Sequence, residues 1–207
     1  MKRKGILLIA IVFMALAFQY ANSDVCHAAG KKTAYGTVSE NGEVLYIPKT
    51  VKIADGLNFE YDGYYYKSLK KVVVSKENKY YKSVNGVLYN KKGTKLGVYP
   101  AKKSGSTYKL PSTVNYIGCW AFMGNESLKN ITIDENVTKI DEGAFKGTKI
   151  EHIELSGGKA DAGKKLKLMA EAFAQCSNLK EITGGYRVSE TGWLTFELCK
   201  NLQNMDI

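Results

Sequence analysis

The strongest constraint on this chain is a motif that returns about every 23 residues. Ala121-Phe122 opens AFMGNESLKNITI, Ala144-Phe145 opens the shorter AFKGTKIEHIEL, Ala172-Phe173 opens AFAQCSNLKEIT, and Thr195-Phe196 opens TFELCKNLQNMDI. Phe122 to Phe145 is 23 residues, Phe173 to Phe196 is again 23, and Phe145 to Phe173 is 28. The excess of five falls on a Gly/Lys-rich stretch, 156–167. Each copy carries the cadence L-x-x-I-x-I: Leu128/Ile131/Ile133, Ile150/Ile153/Leu155, Leu179/Ile182 and Leu202/Met205/Ile207. That alternation makes a short strand with one apolar face. One such strand cannot bury its face alone, but copies stacked roughly 4.8 Å apart form a parallel sheet over a continuous core. The chain is therefore expected to be mainly β, a solenoid whose Ala-Phe pairs lie where each coil turns back, the rings plugging the core. Phe145 and Phe173 are expected to be buried equivalents, and Lys146 and Lys180 to be exposed.

The run from Val114, VNYIGCWAFMGNESLKNITIDENVTKIDEGAF, resembles the BspA-like leucine-rich-repeat family of bacterial secreted and cell-surface proteins. The family pattern is V-x-x-I-G-x-x-A-F-x-x-C-x-x-L-x-x-I-x-I-P. Residues 78–101, followed by YKLPSTVNYIG, resemble the family's interrupting segment, where a hairpin replaces a regular coil. The likeness covers about 69–207. Asp134 stands where Pro is usual, and 156–167 is irregular. The resemblance implies a leucine-rich-repeat solenoid with a β-hairpin insertion. It also implies a binding scaffold rather than an enzyme, adhering to proteins of a host or neighbouring cell; a fold analogy of this kind gives a class and no partner.

Three segments follow: 1–28 as a signal peptide, 29–66 as an N-terminal cap or degenerate repeat, and 67–207 as the repeat domain. Within the last, 78–110 is the hairpin-type segment and 111–207 the regular coils. Residues 45–53 (LYIPKTVKI) echo 109–117 (KLPSTVNYI), which suits a degenerate first coil. Lys2, Arg3 and Lys4 precede thirteen uninterrupted apolar residues, 6–18, too few to span a bilayer comfortably. Small residues then offer cleavage before Ala29, or before Asp24. No later stretch of eighteen apolar residues exists, so no transmembrane anchor is expected after cleavage. A secreted protein, held non-covalently if at all at the cell surface, is the resulting expectation.

The chain has 30 basic and 20 acidic residues, and the surplus is one-sided. Residues 30–111 hold 16 Lys against 6 acids and 11 of the 14 Tyr, whereas 112–207 hold 11 basic and 13 acidic residues. Two binding surfaces follow. The outward positions of the repeat strands form a polar to acidic ladder across the concave face: Asn130/Thr132, His152/Glu154, Glu181/Thr183 and Asn204/Asp206. Such strand-borne side chains suit an extracellular protein ligand. The alternative is a basic patch, Lys70, Lys71, Lys102 and Lys103, which with the nearby tyrosines suits an anionic glycan or cell-wall polymer. An export address makes nucleic acid an unexpected partner. Tyr in hairpin strands also packs a cap, and Lys keeps it soluble, with no ligand at all.

Catalytic chemistry finds little to stand on. His152 is the one histidine after the signal, at an outward strand position, so a base for Cys119 or a serine is poorly supplied. One His and three scattered Cys do not make a zinc site. Carboxylates such as Glu151, Glu154, Asp141, Glu142 and Glu181 recur at solvated repeat positions rather than as an acid/base pair. Gly157-Gly158 and Gly184-Gly185 lack the context of a phosphate loop. Cys176 and Cys199 share one repeat column; a disulfide is conceivable there, but a small buried hydrophobe is the favoured reading. No cofactor, metal or catalytic residue is expected, and a secreted hydrolase using Glu or Cys119 is the weakest alternative.

The exported form should begin near Ala29, or near Asp24. N-terminal sequencing or intact mass of secreted protein checks this, and a secreted species retaining residues 1–18 contradicts it.

Overall fold

The computed structural model describes residues 30–33, 36–52, 67–157 and 164–205. Residues 1–29, where the signal peptide is expected, residues 34–35 and 53–66, the centre of the insertion (158–163) and Asp206-Ile207 lie outside the described residues. Strands β1 (Gly30–Thr33), β2 (Gly36–Ser39), β3 (Val44–Ile47) and β4 (Lys71–Val74) form a four-stranded sheet in that order. The pair β3 and β4 is parallel, with Leu45 beside Val72 and Ile47 beside Val74. Turns of the form P-x-x-V leave the two strands that precede them alike: the N–H of Val51 donates to Pro48 (3.3 Å) and that of Val114 to Pro111 (2.9 Å). At the third such turn Asp134 replaces proline. Val137 still donates to its carbonyl (3.0 Å), and its carboxylate accepts from the Asn136 N–H at 2.9 Å. A side-chain turn there does what the missing ring would have done.

Next comes an antiparallel meander, β5 (Tyr81–Val84), β6 (Val87–Asn90) and β7 (Lys95–Val98). Asn85-Gly86 closes the first hairpin with φ of 50° and 78°, the two left-handed residues that a two-residue hairpin loop requires. This sheet is shared between two cores. Val87, Tyr89 and Leu96 join the solenoid interior, while Leu88, Val98 and Tyr81 pack against Val38, Leu45, Ile47, Leu69 and Val72. A register shift between Leu88 and Tyr89 lies within that division.

The solenoid has two parallel ladders, where the sequence reading foresaw one. The first is the expected sheet: β8 (Thr107–Lys109), β10 (Asn130–Ile133), β12 (His152–Leu155), β14 (Glu181–Thr183) and β16 (Asn204–Met205). The second runs from β7 through β9 (Tyr116–Ile117), β11 (Lys139–Ile140) and β13 (Leu166–Leu168) to β15 (Val188–Thr191). Its buried side chains are Leu96 and Val98 of β7, then Ile117, Ile140, Leu166 and Leu168. Among the described residues there is no α-helix, only one 3-10 turn, Gly185–Arg187.

Between the two ladders the Ala-Phe strip adds a third set of coil-to-coil bonds. The N–H groups of Trp120, Phe122 and Gly124 donate to the carbonyls of Glu142, Ala144 and Lys146 at 3.0, 2.7 and 3.0 Å. Gly143, Phe145 and Gly147 do the same to Ala170, Ala172 and Ala174, and Glu171, Phe173 and Gln175 to Trp193, Thr195 and Glu197. The intervening N–H groups turn back three residues within their own coil, as Ala144 does to Asp141. This alternation needs a left-handed residue on each side of the ring. Trp120, Gly143, Glu171 and Leu194 have φ of 57°, 56°, 55° and 54°, and Gly124, Gly147, Gln175 and Leu198 have 65°, 68°, 60° and 58°.

The rings themselves form a column: Tyr99, Phe122, Phe145, Phe173 and Phe196, with successive centroids 4.8, 4.6, 5.1 and 5.6 Å apart and all four pairs stacked. Tyr99 heads it, 23 residues before Phe122. At the insertion, the buried guanidinium of Arg187 donates to the carbonyls of Ser156 (2.8 Å), Glu135 (2.7 Å) and Val137 (2.9 Å). It thereby ties together the corners of two coils next to the point where the extra residues leave.

Lys146 departs from its expected exposure. Its ammonium pairs with Glu171 and lies 5.3 Å from the centroid of the Trp120 ring, with the side chain only 21% exposed. Phe145→Ala should cost about 3–5 kcal/mol, the range for an enclosed phenylalanine, and Lys180→Ala within about 0.5 kcal/mol. A denaturant melt compares them; equal losses would mean that the ring column is not part of the core.

Candidate functional site

The ladder predicted from the sequence forms one surface. Asn130, His152, Glu181 and Asn204 are direct neighbours across β10, β12, β14 and β16, and Thr132, Glu154 and Thr183 form the parallel row. Asp206 lies outside the described residues. The surface also extends one strand further than foreseen: Thr107 pairs with Asn130 and Lys109 with Thr132. The signal for this was present, since Tyr108 precedes Ile131 by 23 residues, as Tyr99 precedes Phe122.

Contacts between coils hold this face in place. The Thr132 hydroxyl donates to the Glu154 carboxylate at 3.0 Å, and His152 Nδ1 lies 3.7 Å from Glu181. Beside these rows, Glu151 receives Lys180 at 2.9 Å and Lys129 at 3.3 Å. The hydrogen bonds from Lys180 and then Lys129 hold its carboxyl below the usual range. The result is a rigid, mixed-charge surface whose acidic groups, Glu151, Glu154 and Glu181, come from adjacent strands.

The basic patch is assembled differently. The backbone N–H of Lys102 donates to the Leu69 carbonyl at 2.8 Å, which brings residues 102–103 beside 70–71. The charges are largely engaged: Lys70 pairs with Glu43 at 2.5 Å, Lys102 pairs with Glu126, and Lys103 donates to the Asn85 carbonyl at 2.7 Å. Lys71 is exposed at the start of β4.

Cys119 and His152, the pair considered for nucleophilic chemistry, belong to different sheets. Cys119 follows β9 of one sheet, whereas His152 lies on β12 of the other. Cys119 instead faces Asp141, which also accepts the Tyr116 hydroxyl and sits 3.3 Å from Lys139. Burial, and then Asp141, push the Cys119 thiol up to about 11. Burial alone would raise the Asp141 carboxyl. Hydrogen bonds from Tyr116, from the Glu142 N–H and from Cys119 outweigh it and hold the group low. Cys176 and Cys199 are free thiols: Cys176 donates to the Phe145 carbonyl and Cys199 to that of Phe173, each at 3.0 Å. They occupy the column in which Asn125 donates to Pro100 at 2.9 Å. Among the described residues, no group of three or more His, Cys, Asp or Glu is placed to hold a metal ion.

At pH 8 a thiol of pKa about 11 is thiolate in roughly one molecule in a thousand, against about a quarter for an ordinary cysteine. The more basic thiolate is the better nucleophile, which offsets part of that difference, so iodoacetamide should alkylate Cys119 at least about tenfold more slowly than free cysteine, as followed by peptide mass spectrometry. A rate equal to that of free cysteine would mean that Asp141 does not guard the thiol.

The family described as "BspA type Leucine rich repeat region" matches residues 99–207, in six copies. Among solved structures, a leucine-rich repeat protein from Eubacterium ventriosum is 32% identical, with a TM-score of 0.66, over 78% of this chain and 41% of its own. A leucine rich cell surface protein from Faecalibacterium prausnitzii shares the fold at 20% identity and a TM-score of 0.54, over 79% of this chain and 47% of its own. This chain thus spans less than half the length of either. No curated protein is similar enough to match it. With the family pattern matched through every regular coil, the chain belongs to the BspA-type leucine-rich-repeat family.

Proposed function

We propose that this chain is an exported recognition scaffold, not an enzyme, that binds a protein outside the cell through the outer face of its five-stranded parallel sheet. One observation carries the reading: nine outward side chains from five consecutive strands, Thr107 to Asn204, stand in two registered rows. Paired strands fix the backbone from which these side chains project, so that binding has only rotamers left to order, which favours specific recognition. The acidic centre of the face favours a basic or hydroxyl-rich partner. Export rests on the positively charged start and the thirteen apolar residues that follow it. Glycan binding through the lysine-rich half is less favoured, because Lys70, Lys102 and Lys103 are already engaged.

Immobilised chain presented with extracellular-matrix proteins, polysaccharides and cell-wall material should retain a protein. Glu154→Lys with Glu181→Lys should abolish that retention, whereas changing Lys70, Lys71, Lys102 and Lys103 to Glu should leave it largely intact. Retention of polysaccharide alone, lost with the lysines and indifferent to the two glutamates, would overturn the reading.

A further inference from the structure

A cleft opens on the edge of the molecule formed by the Ala-Phe strip, away from the outer rows of the sheet. It measures about 490 Å3 and lies where the N-terminal core meets the first coil. That size falls within the range of clefts that take ligands, roughly 300–1,000 Å3. Its apolar lining is Leu69 and Val98 from the N-terminal core, then Ala101, Trp120 and Met123. Lys67, Lys102, Lys149 and Glu126 also line it, and Lys102 pairs with Glu126. Met123 is 45% exposed beside it.

Two features narrow the ligand. Lys102 and Lys149 both act on the single carboxylate of Glu126, which leaves a positive excess between them, so the lining favours an anion. The apolar part is mostly aliphatic, with a flexible methionine that adapts to a partner's shape. The single aromatic ring does not offer an open platform for a sugar: Trp120 is 8% exposed, and a Cβ on Gly143 would come within 2.2 Å of it. An anionic glycan would leave this lining unused, whereas an aliphatic side chain fills it.

We infer that this cleft is a second binding site, taking an acidic peptide segment whose leucine-type side chains enter the cleft while a flanking carboxylate meets Lys149. The site is separate from the sheet face and does not depend on the function proposed for it.

The chain has two tryptophans, so Trp193→Phe leaves Trp120 as the only indole reporter. The full chain carrying that change is titrated with acetyl-Asp-Glu-Leu-Leu-Glu-Asp-amide while Trp120 emission is followed. A saturable change is expected, weakened at least tenfold by Lys149→Glu. Gly147→Gln should weaken it similarly without altering charge. Gln175 already occupies the same left-handed column, and the space beside Gly147 is open, so the backbone tolerates that residue. Glu154→Lys on the sheet face should leave the affinity unchanged. The peptide with Asn and Gln in place of its acids, and the one with Ser in place of its leucines, should each bind at least tenfold more weakly. A flat titration overturns the proposal. So does equal affinity for the serine peptide, tighter binding of a linear polyuronate, or a Lys149→Glu chain that melts normally and binds as before.

Discussion

A chain that runs in short extended coils cannot satisfy its own amides, and the rest of this structure depends on how that deficit is met. Every coil passes donors and acceptors to the next along three lines, the two parallel sheets and the Ala-Phe strip. The strip is the most demanding of the three, because its N–H groups alternate between the neighbouring coil and their own. That alternation fixes the left-handed residues on each side of the ring, and with them the stacking of one phenylalanine on the next. Burial of the apolar positions and satisfaction of the backbone therefore impose the same register, and an error in one would be an error in both.

Charges follow the coils too. Lys129 and Lys180 meet on Glu151, Lys146 meets Glu171 and Lys167 meets Glu190, each pair joining neighbouring coils. Exposed pairs of this kind add little to stability in water. Their effect here is positional: they hold long side chains along the stack and set the pattern of charge that the sheet face presents. The surplus of lysine in the N-terminal half is similarly tempered by Glu43, Glu77 and Glu126.

The repeat was legible because Phe122, Phe145, Phe173 and Phe196 keep one residue type at nearly one spacing, and L-x-x-I-x-I gives the inward positions of each strand. The outward ladder followed at once, since side chains alternate between faces. Tyr99 and Tyr108 escaped notice although they keep the same 23-residue spacing, because tyrosine replaces phenylalanine and isoleucine there. The second ladder escaped for another reason: β9 and β11 have two residues each, too few to show any alternation. Left-handed backbone at Trp120, Glu171, Leu194, Gln175 and Leu198 leaves no trace in residue type, since the coil imposes it on side chains that would not choose it. The cleft was equally hidden, being assembled by stacking from residues spread between 67 and 149. Arg187, the one arginine after Arg3, gave no hint that it would tie two corners together.

The indole of Trp120 lying where Gly143 has no side chain has a consequence for how such an array can be edited. Repeats in a solenoid are broadly interchangeable, so arrays lengthen or shorten by copying whole units. The coil that carries Trp120 is an exception, because the indole in this position leaves room only for glycine in that column of the next coil. A tandem duplicate of this coil would set the Cβ of a second tryptophan within 2.2 Å of the first indole, so the first ring would have to turn out of its place. Copying a unit at this junction therefore carries a steric cost that the coils further along, with Glu171 and Leu194 in the same column, do not impose.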